Sequence, residues 1–122
     1  MANPLKGEMQ CEVGNVVYTL FYDWDALCSI EKELGTPIGK LGINSTDIAQ
    51  WSASSARIVF WYGLRKHHKN LTLQQAGDMI AEIGGLTKMI PILNLALGLA
   101  FPEIRKAQEE NENPTMPGRA IG

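Results

Sequence analysis

The stretch from Leu86 to Phe101 is apolar on nearly every side. Ile92, Leu93, Leu95, Ala96, Leu97, Leu99 and Ala100, set about 100° apart on a helix, leave no polar face wide enough for water. Such a segment must be enclosed by other elements or shared with another chain. Lys88, Pro91 and Asn94 interrupt it, and it is shorter than the ~20 residues that cross a bilayer, so it reads as a buried helix and not a membrane span. The segment up to His68 has the same character. Ile48, Trp51, Ser55, Ile58, Tyr62 and Arg65 follow one face there, while Val59, Phe60, Trp61 and Leu64 spread apolar surface round the cylinder. That pattern makes this second helix either central to the fold or part of an interface.

A chain of 122 residues is one domain, long enough to bury a core without metal or disulfide staples. Hydrophobic residues at 45% and charged residues at 20% argue against wholesale disorder. Eleven basic against thirteen acidic residues give a net charge of −2, which argues against a dedicated nucleic-acid module. Cys11 and Cys28 are too few for a zinc site or a disulfide framework, and both read as buried free thiols. Met1 to Gly7 is polar and short, with no secretory signal, so the expected location is the cytoplasm.

Glu8–Val13 and Val16–Tyr22 flank Gly14-Asn15, a loop suited to a primed turn, and read as a hairpin. In that register Val13 pairs with Val16, Cys11 with Tyr18 and Met9 with Leu20, placing all six on one face. Glu8, Gln10, Glu12 and Thr19 fall on the other, with Val17 and Phe21. Asp23 caps a first helix over Trp24–Leu34, ended by Gly35. Ser45, Thr46 and Asp47 offer a cap for the second, to about His68. Thr72 with Gln75 forms a capping box for a third, over Leu73–Ile83, ended by Gly84-Gly85. A fourth runs from about Leu86 or Lys88 to Ala107, with Pro91 tolerable only near its first turn. The expectation is an α+β, mainly α domain over 1–107, an N-terminal β-hairpin packed on a bundle of about four helices. Residues 108–122, rich in Glu, Asn, Pro and Gly, read as a disordered acidic tail.

No catalytic constellation emerges. The serines lie in no nucleophile-elbow pattern, no phosphate-cradling glycine run is present, and spacing suggests no acid partner for His67 or His68. Asp23 and Asp25 sit where helix capping explains them. Arg65-Lys66-His67-His68-Lys69 is the one dense polar cluster. Adjacent histidines on a helix diverge by about 100° and do not easily share a metal, whereas cations at a helix C-terminus complement its dipole. Thr72 to Asn94 tests as a helix-turn-helix, but its second helix would offer Met89, Ile90, Ile92 and Leu93 to the bases, which an apolar face cannot read. What stands out is a surplus of apolar and aromatic surface available to a partner.

Several stretches carry a resemblance. Met1-Ala2-Asn3-Pro4 with Gly7-Glu8 is followed by Tyr18-Thr19-Leu20, then Trp24, Ala26-Leu27-Cys28 and Glu31 before Leu34-Gly35. Trp61-Tyr62-Gly63-Leu64-Arg65 with His67 or His68 comes next, then Leu71-Thr72-Leu73, Ala76-Gly77, Ile83-Gly84 and Ala100-Phe101-Pro102. In this order and spacing the chain resembles the tail assembly chaperone family of gene transfer agents and related long-tailed phages, also labelled tail tube proteins. It departs from that family in having Ile and Leu where the last helix is richer in Ala, and Tyr62 in place of a small residue. The resemblance implies a non-enzymatic cytoplasmic role in a bacterial host, without catalytic residues, metal or cofactor. Its implied partners are the tape-measure protein, the tail tube protein and further copies of itself, not nucleic acid or membrane. The expected contact residues are Trp61, Tyr62, Arg65, Leu93 and Leu97. The alternatives are a structural tube or connector subunit, for which more strand would be expected, and a small DNA-binding regulator.

Overall fold

The structure, a computed structural model, describes residues 7–37 and 51–100. Two strands, β1 (Glu8–Val13) and β2 (Val16–Phe21), are followed by four helices: α1 (Trp24–Leu34), α2 (Ala53–Leu64), α3 (Leu73–Ile83) and α4 (Leu86–Ala100). This is the expected α+β, mainly α arrangement of a hairpin on a helical bundle. The limits proposed at Ala107 and over 108–122 lie outside the described residues, as does the cap proposed at Ser45–Asp47.

The hairpin forms in the expected antiparallel register, Val13 opposite Val16, Cys11 opposite Tyr18 and Met9 opposite Leu20. Gly14 takes a positive φ of 62°, and among the described residues no non-glycine residue does, the pattern of a turn with glycine in its first central position. Cys11, Val13 and Leu20 are buried against the helices. Val16 shares their face yet is 51% exposed, so the helices do not cover this end of β2. Tyr22, just past β2, is fully buried and its hydroxyl donates to the Val59 carbonyl at 2.7 Å. Burial, with a smaller contribution from Cys11, pushes the Tyr22 phenol far up, so it stays a neutral donor.

The helix ends follow local chemistry. Asp23 accepts the Ala26 N–H at 2.8 Å, and Gly35 closes α1 in the left-handed region. Thr72 and Gln75 form the expected capping box of α3, and Gly84 and Gly85 both donate to the Ile80 carbonyl to end it. The start of α2 is a correction. Residues 51 and 52 are not helical, and Ser52 with Ser55 makes a reciprocal capping box that starts the helix at Ala53. Trp51, buried just before that cap, occupies the staple position opposite Ala56, also buried. The helix ends at Leu64 and not His68, although the His68 N–H still reaches the Leu64 carbonyl at 2.8 Å. A starting point at Leu86 puts Pro91 in the second turn of α4, beyond the first turn expected for it. Pro91 and Thr87 are both exposed there, so the carbonyl deprived of its donor faces water.

The core sits between the hairpin and the helices. α2 touches β2 and all three other helices, which is why it is apolar round most of its girth. α4 packs on β1, β2, α2 and α3, and Met89, Ile90, Leu93, Ala96 and Leu97 are completely buried. The angle of 113° between α3 and α4 is that of a helix-turn-helix, but α4 is core and its apolar face cannot enter a DNA groove. No single helix among the described residues is long and apolar enough to cross a membrane. Cys11 is buried, and burial pushes its thiol up; Cys28 is exposed on α1, correcting the expectation that both are buried.

The two histidines after α2 fasten it to the hairpin. His68 Nε2 accepts the outward N–H of Thr19 at 2.9 Å, which requires the neutral ring, and Tyr18 packs edge-on against it at 5.1 Å. Burial, then the neighbouring His67, lowers the His68 pKa below its ordinary value near 6.5. The unfolded chain therefore takes up this proton more readily. The stability that neutral His68 contributes is complete above the unfolded pKa and is lost as pH falls through and below about 6.5. Urea midpoints compared between pH 7.5 and 5.5 are expected to fall for the natural chain. His68→Gln, which keeps an acceptor and cannot titrate, is expected to show a shallower fall; an unchanged slope contradicts the assignment.

Candidate functional site

The last turn of α2 brings together three of the five expected contact residues. The Arg65 guanidinium carbon lies 4.8 Å from the centre of the Trp61 ring and 5.8 Å from that of Tyr62. The two rings are 5.0 Å apart and tilted by 60°. Spacing explains the cluster: Trp61 and Arg65 are one turn apart, and Tyr62 adjoins them. Trp61 is anchored, since its indole N–H donates to the Leu71 carbonyl at 2.9 Å across the α2–α3 connection. Both rings are half-buried while Arg65 is exposed, so the stack is a surface feature seated on a fixed base.

Leu93 and Leu97 do not join it. Both are fully buried, on a helix that packs against the hairpin, α2 and α3, which corrects their expected role in partner contact. The helical period placed them on a strongly apolar face, but the other elements of this chain cover that face. The exposed leucine of α4 is Leu95, at 61%.

Beside the aromatic stack runs a groove between α1 and the end of α2. It consists of two adjoining cavities of about 310 and 280 Å³ that share Ser29 and Tyr62. One wall is the face of α1 bearing Asp25, Ser29, Lys32 and Glu33; the other carries Tyr62, Arg65, Lys66 and Lys69. Asp23 also lines the groove, its carboxylate engaged in capping α1. Among the described residues none of Arg65, Lys66 and Lys69 has a carboxylate within ion-pair distance. A separate groove of about 490 Å³ lies between α2 and α3, where Arg57 Nε is buried without a partner.

The histidines are the residues whose partners sequence reasoning missed. His67 Nε2 lies 3.0 Å from Glu8 Oε2 at the start of β1, and Phe21 packs edge-on against the ring at 6.4 Å. Both histidines point to the hairpin, so the cluster is more than a helix-end cation run. Only strand alternation, which puts Glu8, Thr19 and Phe21 on one side, hinted at a surface they could meet. Among the described residues no group of three or more His, Cys, Asp or Glu side chains could hold a metal ion. Comparison with known protein families, with curated proteins and with solved structures finds no match to this chain.

Proposed function

We propose that this chain is a non-enzymatic tail assembly chaperone of a phage or gene transfer agent, working in the cytoplasm of the bacterial host. It holds the long helical tape-measure protein in solution and helps bring tail tube subunits to it, and it self-associates while doing so. The observation that carries the reading is the stack of Trp61, Tyr62 and Arg65 at the lip of the α1–α2 groove. Trp, Tyr and Arg are the side chains that most often dominate protein–protein binding energy, above all where a rigid base holds them. The family resemblance, strongest at Trp61-Tyr62-Gly63-Leu64-Arg65, supports the same reading. A described sheet of only two strands gives little support to a tube-forming subunit.

Co-expression with the tape-measure protein of the same phage or gene transfer agent tests the proposal. The expected result is a several-fold rise in soluble tape-measure protein that co-purifies with the chain. Unchanged solubility and no co-purification would overturn the reading.

A further inference from the structure

We propose that the outer edge of β1 takes an added strand, an extended segment of a partner protein with Lys or Arg at every second position. This surface shares no residue with the Trp61–Tyr62–Arg65 lip, and the inference stands apart from the helix-holding reading.

The register leaves the edge open. Residues facing each other across an antiparallel pair alternate between exchanging main-chain hydrogen bonds and turning those groups away. Thr19 gives its N–H to His68 and not to Gln10, so the Gln10–Thr19 pair is of the second kind. By alternation the Glu12–Val17 pair is too. The N–H and C=O of Gln10 and Glu12 therefore point away from β2, and no other described residue takes them up. Both residues are exposed. The opposite edge of the sheet is closed near its centre, where the His68 ring occupies Thr19. A two-stranded sheet gains stability from a third strand, and β1 is the side able to accept one through its main chain.

The charge selects the strand. Glu8, Gln10 and Glu12 follow one another along the face of β1 opposite to that of Cys11 and Val13. Glu82, at the end of α3, brings its carboxylate over the turn, 2.6 Å from where a Cβ on Gly14 would stand. Neither Glu12 nor Glu82 has a cation within ion-pair distance among the described residues. Of the neighbouring basic groups, His67 meets Glu8 at 3.0 Å, and Lys88 folds over Gly84 without pairing to a carboxylate. On an added strand, side chains directly opposite Glu8 and Glu12 would lie about 5 Å away, close enough for Lys or Arg to pair with them. A second copy of β1 would instead gather two carboxylates from each chain on one face. The acidic edge thus rejects self-pairing and admits a basic strand.

The test uses the full chain and two synthetic peptides that alternate Thr with either Lys or Glu. Binding is followed by fluorescence anisotropy and by amide hydrogen exchange. The expected result is about tenfold tighter binding of the Lys peptide at low salt, an advantage that shrinks as salt rises. Bound peptide should slow exchange at the Gln10 and Glu12 amides, whose N–H groups it takes up, and change little at Met9 and Cys11, which already bond to β2. Glu12→Lys, at an exposed position, is expected to cut the preference several-fold. Should this variant misfold, the two peptides on the natural chain decide alone. Equal binding, preference for the Glu peptide, binding without slowed exchange at Gln10 and Glu12, or no binding overturns the inference and leaves the chaperone reading standing. Slow exchange at those two amides without peptide, growing with chain concentration, would place a second copy on the edge and overturn it too.

Discussion

Replacing Gly63 by alanine is expected to destabilise the fold by about 1–3 kcal/mol, the cost of overpacking a filled core. The sign is opposite to the usual one, since alanine in a helix interior is worth roughly 0.8–1 kcal/mol more than glycine. The reason is Tyr22. A Cβ at residue 63 would stand 2.6 Å from both the ring Cζ and the hydroxyl oxygen of Tyr22. That ring is 1% exposed, and its hydroxyl is held by the Val59 carbonyl one turn earlier on α2. Retreat would break a buried hydrogen bond as well as disturb the packing. Urea or thermal unfolding checks the claim. Combining Gly63→Ala with Tyr22→Leu, which removes the clashing end of the ring, should give a smaller loss than the two single effects added. A neutral or stabilising Gly63→Ala would show that Tyr22 does not lock the hairpin onto α2.

Leu93→Ala is expected to cost about 2–5 kcal/mol, as truncation of a fully buried leucine does. Leu95→Ala, two residues away on the exposed side of α4, is expected to stay within about 0.5 kcal/mol. The contrast follows from exposures of 0% and 61%. It also separates support from contact: Leu93 holds up the layer on which α2 and the hairpin rest. A well-folded chain carrying Leu93→Ala with only weakened partner binding would reverse that assignment.

Much of the fold was legible because its decisive signals are local. Gly14-Asn15 set the hairpin register, Asp23 and Thr72 with Gln75 set two helix starts, and Gly35 and Gly84-Gly85 set two helix ends. Each acts within a few residues. The start of α2 is harder to read, because Ser45, Thr46 and Asp47 offer three cap-forming residues in a row, while Ser52 and its partner Ser55 lie within the same helical periodicity as Ile48, Trp51 and Ile58. The site was legible in part. Trp61, Tyr62 and Arg65 are neighbours on one helix turn, so periodicity alone brings them together. Leu93 and Leu97 show where periodicity stops: it reports an apolar face, not what covers that face. The contacts of His67 with Glu8 and His68 with Thr19 span 59 and 49 residues, and no local pattern encodes them.

The most direct test of the central claim, that this chain holds a partner helix at the Trp61–Tyr62–Arg65 lip, is co-elution with purified tape-measure protein on a sizing column. The natural chain should elute as a complex. A chain carrying Tyr62→Ala and Arg65→Ala, first shown by circular dichroism to keep its helical content, should elute alone. A complex of undiminished yield with that variant would contradict the account.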